Sequence, residues 1–264
     1  MNYTEYIKMQ KGVYENSGVK SESIVGFYDW HEEFPYETQL LYQYGDLRKP
    51  VFEDFHDKIA LDFACGPGRM IPRMSKLFQR VDGADISERL INEARRKNPG
   101  SNFFCTNGDD LGNTPKSNYD FVYSTIALQH IAVREIRLNI LQQIKYSLKK
   151  SGKLTIQMAF SKEYPYISKK EFNYKDYKVV IKKKDYTHAE WKEQRINAVS
   201  TNGRCDVYIN SESLNLVKDD FLKLFSNVLF WFYDVSLIYD NLNGAKHKNN
   251  YWPSHWIFIH GENR

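Results

Sequence analysis

Apolar and polar positions alternate in two rhythms between residues 58 and 160. Lys58–Phe63, Val81–Asp85, Asn102–Cys105, Tyr119–Ser124 and Lys153–Ala159 are short, largely apolar runs of strand length. Stretches with helical spacing lie between them. Arg69–Gln79 carries Met70, Ile71, Met74, Leu77 and Phe78 on one stripe, with Pro72 in the first turn, where proline is tolerated. Ser87 predicts the N-cap of a helix with Leu90, Ile91 and Ala94 on one face, ended by Asn98-Pro99-Gly100. Val133–Leu148 reads as a long amphipathic helix stopped by Lys149-Lys150-Ser151-Gly152. Strands alternating with helices predict a doubly wound, mostly parallel sheet covered on both faces. Ligands of such sheets sit at the carboxyl ends of the strands, near the switch in strand order.

The flanks follow other rules. Residues 1–57 are mixed and rich in aromatics, among them Tyr14, Tyr28, Trp30, Tyr36 and Tyr42. Glu37–Tyr44 reads as a helix, either packed on the core by its aromatic face or folded as a lid over a bound ligand. Residues 160–210 form an irregular, Lys- and Tyr-rich insertion. Ser211–Phe225 has helical spacing, and Val228–Val235 and His255–His260 read as two last strands joined by the polar loop 240–250. The expected organisation is an N-terminal lid or helical segment, 1–57, and one domain, 58–264, interrupted by the insertion.

Composition changes this picture little. The 264 residues are 42% hydrophobic, enough for one α/β core. A net charge of +4 is compatible with an anionic substrate but lacks the clustered basic stripe of a dedicated nucleic-acid binder. Cys65, Cys105 and Cys205 are widely spaced, so neither a zinc knuckle nor a disulfide framework is expected. Met1–Gln10 is polar, and the longest apolar stretch, Val228–Tyr239, is interrupted by Asp234. No signal peptide or membrane span is therefore expected, and the cytoplasm is the expected compartment.

The chemistry concentrates at Ile59–Arg69. The first strand ends in an acid, Asp62, and Gly66 and Gly68 follow at the spacing of a tight strand-to-helix turn. A second acid, Asp85, closes the next strand. A dinucleotide fingerprint requires a third glycine where Ile71 stands. The order acid, three residues, G-x-G instead resembles motif I of the class I S-adenosylmethionine-dependent methyltransferases. Tyr119–Ser124 followed by Leu128-Gln129-His130-Ile131 resembles the fourth motif of the same family.

The resemblance implies a seven-stranded Rossmann-like sheet with an antiparallel last strand, S-adenosyl-L-methionine as cofactor, and an N-terminal segment that often closes over it. Asp62 would anchor the loop or meet the cofactor's amino group, and Ala64, Gly66 and Gly68 would offer backbone contacts to its methionine half. The vicinal hydroxyls of a ribose suit a carboxylate at Asp85; the alternative is an acid stabilising the helix that starts at Ser87. Ile86 would lie against the adenine. Asn107 to Leu111 would supply an acid and its neighbour to the adenine edge, with the choice between Asp109 and Asp110 open and an ordinary Asn-Gly turn as the alternative. Ser124 would stand beside the sulfonium. His130 is the candidate catalytic base, with a purely structural histidine as the alternative; His188 and His255 are weaker candidates.

Some acceptors are argued against. Ser-Thr-Ile follows the fourth strand, where enzymes that methylate a flipped base carry an Asn/Asp-Pro-Pro turn, and no Pro-Cys motif supports cytosine chemistry. Ser161–Arg195 holds ten Lys/Arg against six Asp/Glu, interleaved with aromatics such as Tyr164, Tyr177 and Trp191. That segment is either the roof of a phosphate-tolerant pocket or a solvated flap, and Arg204 beyond it is a lone candidate anion contact. The reading is methyl transfer to an O or N atom of a small molecule: a sugar, a phosphorylated envelope precursor or a secondary metabolite. The alternative is an RNA methyltransferase gripping its substrate with the basic insertion. A non-catalytic scaffold is the third reading.

Overall fold

The apolar runs pair into one seven-stranded sheet. Its strands are β1 (Ile59–Phe63), β2 (Arg80–Asp85), β3 (Phe103–Cys105), β4 (Tyr119–Ser124), β5 (Leu148–Phe160), β6 (Phe225–Asp234) and β7 (His255–Asn263). The computed structural model describes residues 3–16, 40–43, 49–131, 133–160, 173–174, 177–178, 214–234 and 255–264. The sheet order is β6-β7-β5-β4-β1-β2-β3. β1 pairs in parallel with β2 and β4, β2 with β3, and β4 with β5; β7 runs antiparallel to β5 and β6. The order reverses between β1 and β4, which opens a crevice at their carboxyl ends.

The helices are α1 (Tyr3–Asn16), α2 (Ile71–Met74), α3 (Glu88–Lys97), α4 (Arg134–Ser147) and α5 (Leu214–Leu224). Alternation along the strands sends neighbours to opposite faces. Leu61, Phe63 and Val122 join Ile136, Ile140 and Ile144 of α4, Val217 and Phe221 of α5, and Tyr6 of α1. Ala60, Phe121 and Tyr123 join Ile71 and Met74 of α2, Ile91 and Ala94 of α3, and Leu40, Leu41 and Val51 from the N-terminal segment. An ion pair from Arg134 to Asp220 ties α4 to α5. Ser87 caps α3 as expected, its Oγ accepting from the Leu90 amide at 3.2 Å.

Three boundaries differ from the sequence reading. Arg69–Gln79 buries its predicted stripe, but only Ile71–Met74 is α-helical. Beyond it the chain tightens into three-residue hydrogen bonds, Lys76 to Arg73 and Leu77 to Met74. Glu37–Tyr44 was expected to be a helix; Glu37–Gln39 and Tyr44 lie outside the described residues, Leu40 and Leu41 are helical and buried, and Tyr42–Gln43 is extended and pairs with Lys49–Pro50. Thr155 donates to the Leu40 carbonyl and the Val51 amide to the Leu41 carbonyl. β5 starts five residues early, at Leu148, through a register shift near Ser151, whose φ is 59°.

Candidate active site

The loop from β1 to α2 carries its backbone in the left-handed region at Ala64 (φ 61°), Gly66 (54°) and Gly68 (77°). The two glycines serve different ends. A Cβ on Gly66 would meet nothing within 4 Å, so open space lies against that backbone. A Cβ on Gly68 would lie 2.7 Å from Asn98 Nδ2 and 3.1 Å from Ala94 Cβ, so this glycine lets the loop press on α3. Ala64 holds the same conformation with a side chain, at a cost in strain.

Asp85 organises the site. Its Oδ2 accepts from the Gly66 amide at 2.9 Å and its Oδ1 from the Ser87 amide at 2.9 Å. One carboxylate thus fixes the glycine loop and stands at the start of α3, the helix-stabilising alternative of the sequence reading. Each oxygen keeps a further lone pair. Burial pushes this carboxyl above its ordinary range; the two amides pull it back and Glu15 pushes it up again. Asp62 is fully buried, and burial lifts its carboxyl to about 8. The Arg69 guanidinium and the Tyr123 hydroxyl beside it pull the other way. Arg69 also reaches the exit of β4, where its Nη2 donates to Thr125 Oγ1 at 3.3 Å. Arg69 and Thr125 were missed by the sequence reading, which took Arg69 only as the start of a helix.

The next loop separates Asp109 from Asp110. Asp110 accepts from the Asn107 amide (3.1 Å), from Asn107 Nδ2 (2.8 Å) and from the Gly112 amide (2.8 Å). Burial would raise its carboxyl, but these bonds outweigh it and hold the group low. Asp110 and Asn107 therefore build the turn. The Asp109 carboxyl carries no such bonds to other described residues; burial and then the charge of Asp110 raise it.

Helix α1 closes over this region. A Cβ on Gly108 (φ 103°) would lie 2.7 Å from Ile7 Cγ2 and 2.8 Å from Ile86 Cδ1, so α1 and Ile86 meet across it. Glu15 accepts from Ser87 Oγ (3.2 Å) and from the amides of Glu88 (2.7 Å) and Arg89 (3.2 Å), and Arg89 Nε returns a bond to the Glu15 carbonyl (2.8 Å). Each helix thus caps the other's open end. The lid-like element among the described residues is α1, not Glu37–Tyr44; the signal was Tyr6, Ile7, Met9 and Gln10 recurring in a polar stretch.

At the exit of β4, Ser124 is fully buried, and its Oγ has no partner among the described residues. Ile126 holds a φ of 56°, a strained value for a branched side chain. Leu128–His130 form a 3-10 turn, with Gln129 buried and His130 half-buried. His188 and Arg204 lie outside the described residues, as does most of the insertion. The backbone of His255 pairs with Phe160 at the carboxyl end of β5. Among the described residues no group of His, Cys, Asp and Glu could hold a metal ion, and no helix is long and apolar enough to cross a membrane.

Residues 60–152 match the profile of a methyltransferase domain. No curated protein matches the chain in sequence. Among solved structures the chain is similar to phosphoethanolamine N-methyltransferase 2 of Haemonchus contortus in complex with S-adenosyl-L-methionine, with 14% identity and a TM-score of 0.58. That alignment covers 96% of this chain and 59% of that one. A second structure of that enzyme, with phosphomonomethylethanolamine and S-adenosylhomocysteine, aligns at 13% identity, a TM-score of 0.51, and 99% and 57% coverage. An S-adenosylmethionine-dependent methyltransferase from Mesorhizobium loti aligns at 14% identity and a TM-score of 0.54, over 80% of this chain and 94% of that one. At these identities the likeness is one of fold. The residues fit the cofactor that the domain match implies: open space at Gly66 and a buried carboxylate with lone pairs to spare at Asp85. Residues 60–152 thus carry a methyltransferase domain, and the chain shares the fold of S-adenosylmethionine-dependent methyltransferases.

Proposed function

We propose that the crevice at β1, β2 and β4 transfers the methyl of S-adenosylmethionine to an O or N atom of a small molecule. The observation that carries this reading is the Asp85 bridge: one buried carboxylate clamps the Gly66 amide and the Ser87 amide beside open backbone. Asp85 would take the ribose hydroxyls on its remaining lone pairs. Ile86 and Ile7 would enclose the adenine, and Asp109, the acid not consumed by its own turn, would accept from the adenine amine. Ala64, Gly66 and Asp62 would line the methionine half, and Ser124 would stand by the sulfonium.

When bound, the cofactor supplies an electrophilic methyl on a positively charged sulfur. The residues here hold and orient. Alignment of two reactants is worth about 7–11 kcal/mol and a general base about 10²–10⁴-fold, so positioning is the larger share. His130 would take the proton of an acceptor hydroxyl or ammonium. The Haemonchus contortus enzyme, whose name and ligand describe a phosphorylated amine, supports a small anionic acceptor for this fold, and the net charge of +4 is compatible with one.

Calorimetry with S-adenosylmethionine tests the first half of this reading, and its expected result is saturable binding. Incubation with isotopically labelled methyl donor and fractionated extract tests the second. Label in the small-molecule fraction is expected; label in RNA would replace the acceptor class, and no binding heat would remove the activity.

A further inference from the structure

We propose that Arg137 is a positioning residue for the methyl transfer: its buried guanidinium holds the turn that presents His130 at the exit of β4. The inference rests on the reading of His130 as the acceptor's base and adds the group that fixes it. Arg137 stands where the helical pattern asks for an apolar residue. The buried stripe of α4 runs through Ile136, Arg137, Ile140, Leu141 and Ile144, and Arg137 is 5% exposed within it. It also closes the first turn of α4, near the positive end of the helix dipole. Burial and dipole both oppose a positive charge at that place. A local rule broken in this way marks a bond that an apolar residue cannot make.

That bond runs back to the turn before the helix. Arg137 Nη1 donates to the carbonyl of Ile131. The chain between β4 and α4 has little regular structure to hold it. Leu128–His130 is a single 3-10 turn, closed by the His130 amide on the Ala127 carbonyl (2.9 Å) and the Ile131 amide on the Leu128 carbonyl (3.1 Å). One such turn fixes several dihedrals for few bonds and is weak by itself. Val133, at the N-cap of α4, supplies no side-chain cap. Outside help therefore decides where the turn sits. Leu128 anchors its start, buried in the core beside Ile136 and Ile140. The Arg137 bond anchors its end at Ile131, which is extended (φ −106°, ψ 101°). His130 lies between the two anchors, so its backbone is placed from both sides. A misplacement of about 1 Å at a reacting group costs on the order of 100-fold in rate. An Arg137 that merely supported the fold would change stability and leave the rate of the folded enzyme alone.

The test measures methyl transfer from labelled S-adenosylmethionine to the small-molecule fraction of an extract, beside calorimetry with S-adenosylhomocysteine. Arg137→Met completes the apolar stripe, a change that buried charges often tolerate, and removes the bond. It is expected to slow transfer by about 10- to 100-fold while S-adenosylhomocysteine binds as in wild type. Arg137→Lys, which keeps a charged donor on a shorter reach, should recover part of the rate. Added to His130→Ala, Arg137→Met should cause no further loss, because residues that act as a unit are not additive. Unchanged transfer in Arg137→Met, with His130→Ala slow, would overturn the proposal and spare the reading of His130. So would a full further loss on top of His130→Ala, since Arg137 would then act elsewhere. A matching fall in S-adenosylhomocysteine affinity would also overturn it and leave Arg137 as a support of the whole domain. Unchanged transfer in His130→Ala, or no transfer by wild type, would overturn both readings. Wild type alone gives one more answer by nuclear magnetic resonance. The Arg137 Nη protons should exchange slowly with solvent, and fast exchange would overturn the proposal without any variant.

Discussion

The two halves of the carboxyl edge are built differently. Over β1 to β3 three carboxylates are tied down: Asp85 by two amides, Asp110 by Asn107 and Gly112, Glu15 by the start of α3. Over β4, β5 and β7 the described residues leave Ser124 Oγ, Gln129 Oε1 and His260 Nε2 buried without a hydrogen-bond partner. A buried polar atom left unpaired costs about 1–3 kcal/mol. The donor half is thus fixed in advance, so little ordering remains to be done when the cofactor enters. On the proposed reading the other half would receive the acceptor, and its spare hydrogen-bonding capacity is what would discriminate a specific one.

His130 offers the largest test of this division. Its replacement by Ala should lower turnover by about 10²–10⁴-fold while donor affinity stays unchanged. Steady-state turnover and calorimetry on the same preparation check both halves of that statement. Unchanged turnover would remove His130 from the chemistry; a matching fall in donor affinity would erase the boundary between the halves.

The second test is the dependence of stability on pH. Asp62, Tyr123, Thr155 and His260 are direct partners across β1, β4, β5 and β7, a buried polar row crossing the boundary. Its two ends titrate in opposite senses. Thr155 donates to the Leu40 carbonyl at 2.8 Å, so it accepts from His260 Nδ1 at 2.9 Å, and Nε2 is left a bare lone pair. Burial lowers this histidine from 6.5 to about 4. The unfolded chain binds the extra proton between those values, so His260 costs stability as pH falls from 6.5 towards 4, by about 1.4 kcal/mol per pH unit. Asp62 is raised from 3.8 to about 8, so its contribution is full below 3.8 and is lost as pH rises towards 8. Denaturant midpoints across pH should therefore change little between 4 and 6.5, where the slopes oppose, and fall between 6.5 and 8. Asp62→Asn should abolish the alkaline fall, and His260→Phe should extend it down to acid pH. A wild-type profile flat above 6.5 would show that Asp62 is ionised in the fold at no cost.

Asp85→Asn probes the donor half alone. An asparagine turns one acceptor into a donor facing an amide N–H, and the charge is lost. The expected cost is about 1.5–3 kcal/mol of stability with a drop of about 10- to 100-fold in donor affinity. Asp110→Asn should cost comparable stability and leave donor affinity nearly intact, because Asp110 serves its own turn. If Asp110→Asn loses affinity and an Asp109 variant does not, the two acids exchange roles.

Much of the donor half was legible because its chemistry is local in sequence. The run Ile59–Leu61, the acid Asp62 and the two glycines announce a strand and a turn, and Ser87 announces a cap. The division of labour between the glycines was not legible, because it depends on Asn98 and Ala94, which α3 brings back to Gly68. Nor was the capture of Gly66 by Asp85, a pairing of residues nineteen apart. Within Glu37–Tyr44 the helix gives way after Leu41 because Tyr42 and Gln43 pair with Pro50 and Lys49, a partner the local pattern does not announce. α1 went unread because its burial depends on Glu15 reaching Arg89 and Ile7 reaching Gly108.

The smallest effect expected sharpens the comparison at the level of the backbone, since each half holds one non-glycine residue in the left-handed region. Ala64 sits at φ 61° in the donor loop and Ile126 at 56° beyond β4. That conformation costs an L-residue roughly 1–2 kcal/mol, and glycine in its place costs about 0.5–1 kcal/mol of chain entropy. Ala64→Gly should therefore gain about 0.5–1 kcal/mol, since little side chain is lost. Ile126→Gly gains the same relief but gives up a half-buried side chain packed against the core on the Ala60, Phe121 and Tyr123 face of the sheet, worth on the order of 1 kcal/mol, so its net change is near zero. Stability alone hides the strain at Ile126, and kinetics uncovers it. If the strained exit of β4 aims the acceptor, Ile126→Gly lowers kcat/KM while Ala64→Gly leaves it unchanged. Equal kinetic behaviour of the two variants would mean that the strain beyond β4 is incidental, and that the contrast between the halves resides in their side chains alone.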